Sequence, residues 1–252
     1  MGRRMGNDGV ARREVLRAGM VFGVTALSRP LMSWGQQVRV FDVAKYGAVG
    51  DGKTLAGPAI QRAIDEAAAY KGRAQVLVRG GKKYLVGTVV LKGGIDFHLA
   101  DDAELVVSLR PEDYLGGLTG SQSGDTMAAA LGAVIVANGA QGLKISGTGK
   151  LNGRAKEFMK GYDEVGEIWR PGAFRPKMFV LTECRDLEVR DITFGEAPNW
   201  GLHMLGCDGV LVDNVKVRNC WMFLIAMGSI RTTRGMWRLR IAILFAAMMG
   251  WW

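Results

Sequence analysis

The last 32 residues of the chain, 221–252, lack Asp, Glu and Lys altogether. The same segment holds four Arg, four of the seven Trp and five of the thirteen Met. Residues 36–220, by contrast, mix acidic, basic and apolar residues as an ordinary folded domain does. We therefore divide the chain into an N-terminal segment 1–35, a domain 36–220 and an aberrant tail 221–252.

Excess charge is also absent from the domain, although the whole chain has a formal net charge of +9. Residues 1–35 hold six Arg against two acidic residues, which is +4, and the four Arg of the tail add another +4. The domain holds the other 23 basic and 22 acidic residues, a net +1. Nucleic-acid-binding domains carry positive charge on the folded body, so we expect no nucleic-acid partner.

The chain has no apolar run of the roughly 20 residues that a membrane-spanning helix needs. The apolar run 18–27 has ten residues and follows Arg12-Arg13, a pattern typical of a twin-arginine export signal. Small residues at Ser33 and Gly35 suit cleavage before Gln36. The pattern predicts a periplasmic or extracellular protein; the alternative is a basic N-terminal arm.

Cysteine is scarce, with three residues, Cys184, Cys207 and Cys220. Their number is odd and their spacing is not that of a metal site, so we interpret them as small buried residues. A Cys184–Cys207 disulfide stays open. The acidic run 101–104 allows a calcium site, but a solvated turn is favoured. We expect no metal and no cofactor.

One helix and many short strands make up the predicted secondary structure. Pro58 to Tyr70 is helical, with Gly57 at the N-cap, Gly72 just past the end and an apolar face that includes Ile60 and Ile64. The predicted strands are 38–43, 75–78, 89–91, 95–99, 105–107, 133–136, 143–145, 187–189 and 210–212.

The later strands repeat at a fixed spacing. Leu187 and Val189 correspond to Val210 and Val212 at a separation of 23, and Leu143 lies 44 before Leu187, which we interpret as two further periods. A constant period of short strands with polar turns predicts a solenoid. The predicted fold is all-β, an incomplete right-handed parallel β-helix with one N-terminal capping helix; an antiparallel sandwich is disfavoured.

Residues 47–54 match the phosphate-binding pattern G-x-x-x-x-G-K-T letter for letter. Phosphate binding needs a helix that starts at the Lys-Thr pair, but the predicted helix begins only at Pro58. We therefore interpret this segment as a glycine-rich turn.

The segment 41–54, followed by 59–64 and 84–92, resembles the opening of pectin-degrading β-helix enzymes. The more specific segment Pro198-Asn199-Trp200-Gly201-Leu202-His203 is similar to the polygalacturonases of glycoside hydrolase family 28. The resemblance spans about residues 38–220. It implies a polysaccharide substrate of the pectin or galacturonan type, inverting hydrolysis and a monomer if the chain is complete. Asn199 and His203 are then candidate substrate-binding residues, with a buried structural role as the alternative. Trp200 is interpreted as core.

The family's catalysts are aspartates in the motifs N-x-D and G-D-D on neighbouring coils, and both are absent from this chain. No residue present is therefore predicted as catalytic. The resemblance implies that both motifs should follow Asn214–Cys220.

Codons formed from the third base of one codon and the first two of the next allow a different reading after Cys220. It contains N-C-D, the strand D-V-E-I and G-D-D. Because Met and Trp have single codons, Trp221–Met222 and Met248–Met249 must each give Asp, and Met227–Gly228 must give Gly. We interpret the tail as a frame-shifted translation and expect an inactive chain whose last coil exposes unpaired backbone.

Three alternatives remain. A genuine tail would be an apolar, cationic segment on a membrane surface, and without it we expect no membrane contact. A polysaccharide lyase of the same fold would need calcium carboxylates and a basic catalyst. A non-catalytic β-helix that binds or adheres to carbohydrate would have no aspartate motif in any frame.

Overall fold

A computed structural model describes residues 37–116, 132–166 and 168–218, together with the backbone of 238–244. All of them lie in the second of two units of the chain, 36–252. The predicted export signal 1–35 and Cys220 fall outside the described residues.

The described part holds eighteen strands and one α-helix, α1 at Gly57–Ala69. The strands are β1 Arg39–Asp42, β2 Asp51–Leu55, β3 Ala74–Val78, β4 Lys83–Val86, β5 Val89–Val90, β6 Ile95–Leu99, β7 Glu104–Val107, β8 Ala133–Asn138, β9 Lys144–Ser146, β10 Lys150–Asn152, β11 Met159–Asp163, β12 Ile168–Pro171, β13 Lys177–Thr182, β14 Arg185–Arg190, β15 Thr193–Gly195, β16 Leu202–Leu205, β17 Asp208–Arg218 and β18 Arg238–Leu244. No helix in this part is long and apolar enough to cross a membrane.

Parallel pairing stacks the strands into three sheets. Sheet 1 has the order β1-β3-β6-β9-β14-β17, and sheet 2 has the order β2-β4-β7-β10-β15-β17. Sheet 3 has the order β5-β8-β13-β16. The long strand β17 belongs to sheets 1 and 2 because it pairs with β14 through its first half and with β15 near its end. The described part of the second unit is therefore a three-sided parallel β-helix, right-handed as parallel crossovers are.

The last complete coil has 23 residues in all three sheets. Arg185 pairs with Asp208, Thr193 with Lys216 and Phe179 with Leu202. The interpretation of the 44-residue interval as two periods is wrong, because Lys144 pairs directly with Glu188 and β9 is the immediate neighbour of β14. One enlarged coil spans that interval, and it contains the antiparallel hairpin β11–β12.

The core is a column of inward side chains stacked coil on coil. Val76, Phe97, Ile145, Val189 and Val212 are successive partners across sheet 1, and each has at most 1% of its surface exposed. Burying a side chain of this size contributes about 1.5–3 kcal/mol. Alternation of apolar and polar residues thus places one side of every strand in a continuous interior.

Helix α1 covers the N-terminal end of this column, as predicted. Its buried residues include Ile60, Ala63 and Ile64, and it contacts strands of all three sheets. The helix begins one residue earlier than expected, at Gly57, with Ala56 as the N-cap and Pro58 in the first turn. It therefore closes the apolar interior against solvent.

The glycine-rich segment 47–54 is a turn and a strand. Lys53 and Thr54 lie in β2, and their backbone N–H groups donate to Oδ1 of Asp51 at 2.8 and 2.7 Å. Those hydrogen bonds hold the pKa of Asp51 low, at about 2. A carboxylate thus occupies the donors that a phosphate would need.

The acidic run 101–104 divides between a turn and a strand. Asp101 and Asp102 form the predicted turn, whereas Glu104 is a buried residue of β7. The ammonium groups of Lys83 and Lys150 each lie 3.5 Å from its Oε2, and Asn152 donates to Oε1 at 2.9 Å. No three His, Cys, Asp or Glu side chains are grouped to hold a metal ion within the described ranges.

The two described cysteines are buried free thiols. Cys184 and Cys207 occupy equivalent turns of successive coils and are 0% and 1% exposed. The Cys207 thiol lies 3.3 Å from the carbonyl oxygen of Leu181. The prediction of small buried residues is confirmed for this pair, and no disulfide joins them.

The tail contributes a strand that its composition did not predict. Arg238–Leu244 pairs in parallel with Leu211–Arg218 of β17, with an irregularity after Asp213. The expectation of a wholly unpaired last coil is therefore wrong for sheets 1 and 2. In sheet 3, β16 remains the edge strand of the described part.

Candidate functional site

The outer face of sheet 3 carries the predicted binding residue His203. Leu202 and Met204 point into the main core, so His203 between them points outward. Its cross-strand partner Val180 packs with Ala133 and Val136 in a small apolar cluster separate from the core. Part of the outer face of this sheet is therefore apolar.

His203 is 5% exposed, and its Nδ1 atom has no hydrogen-bond partner. Burial, and then the positive charge of Lys177, hold the pKa of His203 below its ordinary value of 6.5. The neutral imidazole is thus favoured. A buried polar atom without a partner is costly, so Nδ1 of His203 lowers the stability of the folded protein.

Trp200 lies beside His203, two residues before the start of β16. The two ring centroids are 4.5 Å apart with an interplanar angle of 78°, an edge-to-face contact. The Nζ atom of Lys177 lies 5.9 Å from the centre of the Trp200 ring. Trp200 is half-buried and belongs to neither core cluster, so its interpretation as core is wrong. The indole keeps an accessible surface beside a cation.

Lys177 begins strand β13 on the outer face of sheet 3. It is 3% exposed, and burial lowers the pKa of its ammonium group. Burial likewise lowers the pKa of Arg175, two residues earlier. Lys177 therefore places a positive charge near His203 and Trp200, and this electrostatic environment favours an anionic ligand.

Asn199 ties two coils together. Its Nδ2 donates to the carbonyl oxygen of Arg175 at 3.3 Å, and Nη1 of Arg175 donates to the carbonyl oxygen of Pro198 at 3.2 Å. The amide thus holds the segment before β16 against the segment before β13. The structure brings Asn199 and His203 into one region, and sugar contact by either residue stays a prediction.

The outer positions of sheet 3 carry no carboxylate in its four described strands. They are occupied by Val90, Ala133, Val136, Asn138, Lys177, Val180, Thr182, His203 and Leu205. Inverting glycoside hydrolysis needs two carboxyl groups about 6.5–9.5 Å apart. This surface can bind and orient a ligand, and it holds no such pair.

Sequence reasoning missed Lys177. A charged residue directly before the apolar run 178–181 was the available signal, since Lys177 heads a strand that is otherwise almost wholly buried. Its significance depends on the register, because Lys177 is 26 residues from His203 along the chain and reaches it only through the pairing of β13 with β16.

Comparison with known proteins gives a family match from sequence and a shared architecture from structure. The family model for "Glycosyl hydrolases family 28" matches residues 99–221. A polygalacturonase of Chamaecyparis obtusa is 26% identical over 183 residues, which cover 71% of this chain and 33% of that protein. The chain spans about a third of the length of the curated relatives that it matches.

Two solved structures share the fold. The family 28 exopolygalacturonase of Yersinia enterocolitica superposes with a TM-score of 0.58 at 21% identity, covering 73% of this chain and 39% of that one. The exopolygalacturonase of Thermotoga maritima gives a TM-score of 0.56 at 19% identity, covering 74% and 49%. At these identities the superpositions bear on architecture alone.

Proposed function

Because the chain belongs to glycoside hydrolase family 28, we propose that it is the N-terminal part of an exported hydrolase that cleaves pectin-type galacturonan with inversion. The outer face of sheet 3 is the floor of its substrate cleft. The 252-residue chain itself is inactive, since the catalytic aspartates are encoded only in the alternative reading frame after Cys220, called the displaced frame below.

The environment of His203 is the observation that carries this proposal. A galacturonan presents a carboxylate on every sugar ring, together with apolar ring faces and hydroxyl groups. Lys177 supplies positive charge, Trp200 supplies an apolar surface, and the His203 ring lies against Trp200. The site has the polarity that an acidic sugar requires.

The 23-residue coil supports the position of the missing catalysts. In the displaced frame, N-C-D is encoded across codons 224–227, one 23-residue coil after residues 201–204, of which 202–204 lie in β16. Its aspartate would then lie on the strand next to β16, about 4.8 Å from the level of His203. G-D-D follows at 246–249, about one coil further on. Carboxylates on neighbouring coils suit the separation that inversion needs.

Each group then has a role in the reaction. One aspartate protonates the glycosidic oxygen, and another removes a proton from the water that attacks the anomeric carbon from the opposite face. Lys177, Trp200 and His203 hold the sugar beside this pair. Neutral His203 donates or accepts a hydrogen bond without adding charge to the acid–base pair.

The nucleotide sequence from codon 210 to a few hundred bases past the stop codon tests the proposal first. We expect a single-base shift near codon 220 to open a long frame with N-C-D, G-D-D and further coils. Both the 252-residue chain and the restored chain are then assayed for reducing ends released from polygalacturonate. We expect activity from the restored chain alone. A closed frame, or hydrolysis by the 252-residue chain, refutes the assignment.

Export through the twin-arginine route completes the proposal. Arg12-Arg13 followed by the apolar run 18–27 supports it. A reporter fused after residue 40 should reach the periplasm, and replacing both arginines by lysine should stop its export. A reporter that leaves the cytoplasm equally well without the arginine pair contradicts this part of the proposal.

A further inference from the structure

The enlarged 44-residue coil carries the hairpin β11–β12 directly before the candidate site. Strand β10 ends at Asn152, the hairpin occupies 159–171, and the chain then runs through Arg175 into Lys177. The equivalent connection in the next coil is the short segment 196–201, which contains Trp200. The hairpin is therefore an insertion at the same corner of the β-helix as the site.

The base of the hairpin is fixed to the body of the protein. Phe158 and Phe174 are buried, with ring centroids 5.9 Å apart, and Phe174 also packs on Tyr114 at 4.9 Å. The amide of Gly172 donates to the carbonyl oxygen of Phe158 at 2.9 Å. The amide of Ala155 donates to the carbonyl oxygen of residue 196, in the segment that leads to Trp200. The hairpin β11–β12, called the arm below, thus starts from a packed base next to the segment that contains Trp200.

One face of the arm is aromatic and basic. Tyr162 and Trp169 are cross-strand partners with ring centroids 5.5 Å apart, and 48% of Tyr162 is exposed. The Nζ atom of Lys156 lies 5.6 Å from the centre of the Trp169 ring. The cross-strand aromatic pair stabilises the hairpin, and the exposed side of Tyr162 leaves an aromatic surface open to solvent.

The turn of the hairpin is held by an ion pair and by backbone hydrogen bonds. Arg170 donates to Asp163 at 2.7 Å, and Asp163 also accepts from the amides of Val165 and Gly166 at the turn. The Arg170 side chain lowers the pKa of Asp163, so this pairing is charged. The turn and the ion pair stabilise the arm, which leaves the exposed face of Tyr162 available to a ligand.

We propose that Tyr162, Trp169 and Lys156 form a second carbohydrate-binding surface that holds an acidic polysaccharide chain outside the cleft. A sugar ring stacks on the exposed face of Tyr162, and the ammonium group of Lys156 pairs with a uronate carboxylate. The hairpin that carries this surface leads along the chain into Arg175 and Lys177. This inference rests on the proposed substrate class and not on the aspartates of the displaced frame.

Binding of oligogalacturonate and of its neutral methyl ester to the full 252-residue chain tests the inference, by affinity electrophoresis and calorimetry. We expect Tyr162→Ala to raise the dissociation constant about 5- to 30-fold, and Lys156→Gln about 3- to 5-fold for the acidic ligand only. Tyr162→Phe should bind like the original chain. Val165→Ala is the matched control, since Val165 is 97% exposed at the tip of the same hairpin.

Each outcome decides between the proposals. Unchanged binding in both Tyr162→Ala and Lys156→Gln, with binding lost in Lys177→Met, overturns the hairpin surface and leaves the cleft assignment standing. If the original chain does not bind the acidic ligand at all, both proposals fall. If Tyr162→Ala alters the circular dichroism of the chain, Lys156→Gln decides, because it leaves the aromatic pair intact.

Discussion

Replacing His203 by Phe should stabilise the protein at neutral pH. The imidazole is 5% exposed and its Nδ1 atom has no partner, so the folded state bears the cost of a buried, unsatisfied polar atom. That cost is about 1–3 kcal/mol. Phe keeps an aromatic ring against Trp200 and removes the polar atom, although its slightly larger ring returns part of the gain. We expect a net gain of about 1 kcal/mol in the free energy of unfolding, or roughly 2–4 °C in Tm.

The same substitution should remove a pH dependence. Burial and then Lys177 lower the pKa of His203 in the folded state below the ordinary 6.5. Between the two pKa values the unfolded chain binds more protons than the folded chain, so stability falls as pH falls through and below 6.5. The slope from one histidine is at most about 1.4 kcal/mol per pH unit. Below the folded pKa the loss is complete and stability no longer depends on this group.

Urea unfolding of the 252-residue chain and of His203→Phe at several pH values from 5 to 8 measures both effects. The difference between the two proteins should widen as pH falls below 6.5. His98→Phe is the matched control, since His98 is the other histidine of the chain and its Nδ1 lies 2.8 Å from Oγ of Ser146. That control should lose about 0.5–1.5 kcal/mol. A loss of stability in His203→Phe at pH 7.5, with an unchanged pH profile, would refute the reasoning.

The packing of successive coils gives two more predictions. At Gly147, φ is +99° and an added Cβ would lie 1.9 Å from the carbonyl oxygen of Leu99, so Gly147→Ala should cost more than about 3 kcal/mol in urea unfolding. Gly142→Ala, with φ +63° and open space around the Cβ, should cost only about 1 kcal/mol; equal costs would contradict the steric argument. Cys184 and Cys207 should react with a thiol reagent only after unfolding, counted by mass spectrometry; rapid labelling of either in the native chain would show that the turns open.

Nine of the eighteen described strands could be predicted because their signal is local. Leu187 and Val189 alternate with polar neighbours, and the same pattern returns 23 residues later at Val210 and Val212. Helix α1 carries its own start signal in Pro58 and its own apolar face. The segment 47–54 could also be rejected as a phosphate loop from local sequence. A phosphate loop requires a helix that starts at its Lys-Thr pair, and the predicted helix starts only at Pro58.

The candidate site was only partly visible in the sequence. Asn199 and His203 came from resemblance, whereas Lys177 became significant only through the pairing of β13 with β16. The interpretation of Trp200 as core was also wrong, because an aromatic residue next to an apolar strand fits a buried and a half-buried position equally well. The outward direction of His203 depends on register, and a shift by one residue would turn it into the core.

The sequence by itself determined the repeating strands, the capping helix and the near-neutral charge of residues 36–220. These properties depend on the alternation and composition of residues that are close together in the chain. The tertiary structure alone decided that 44 residues make one coil, that the additional length projects as the β11–β12 hairpin, and that β18 pairs with β17. Coil count and neighbours depend on hydrogen bonds between strands far apart in the chain. Such bonds form only when a whole coil has closed, so no local pattern records them.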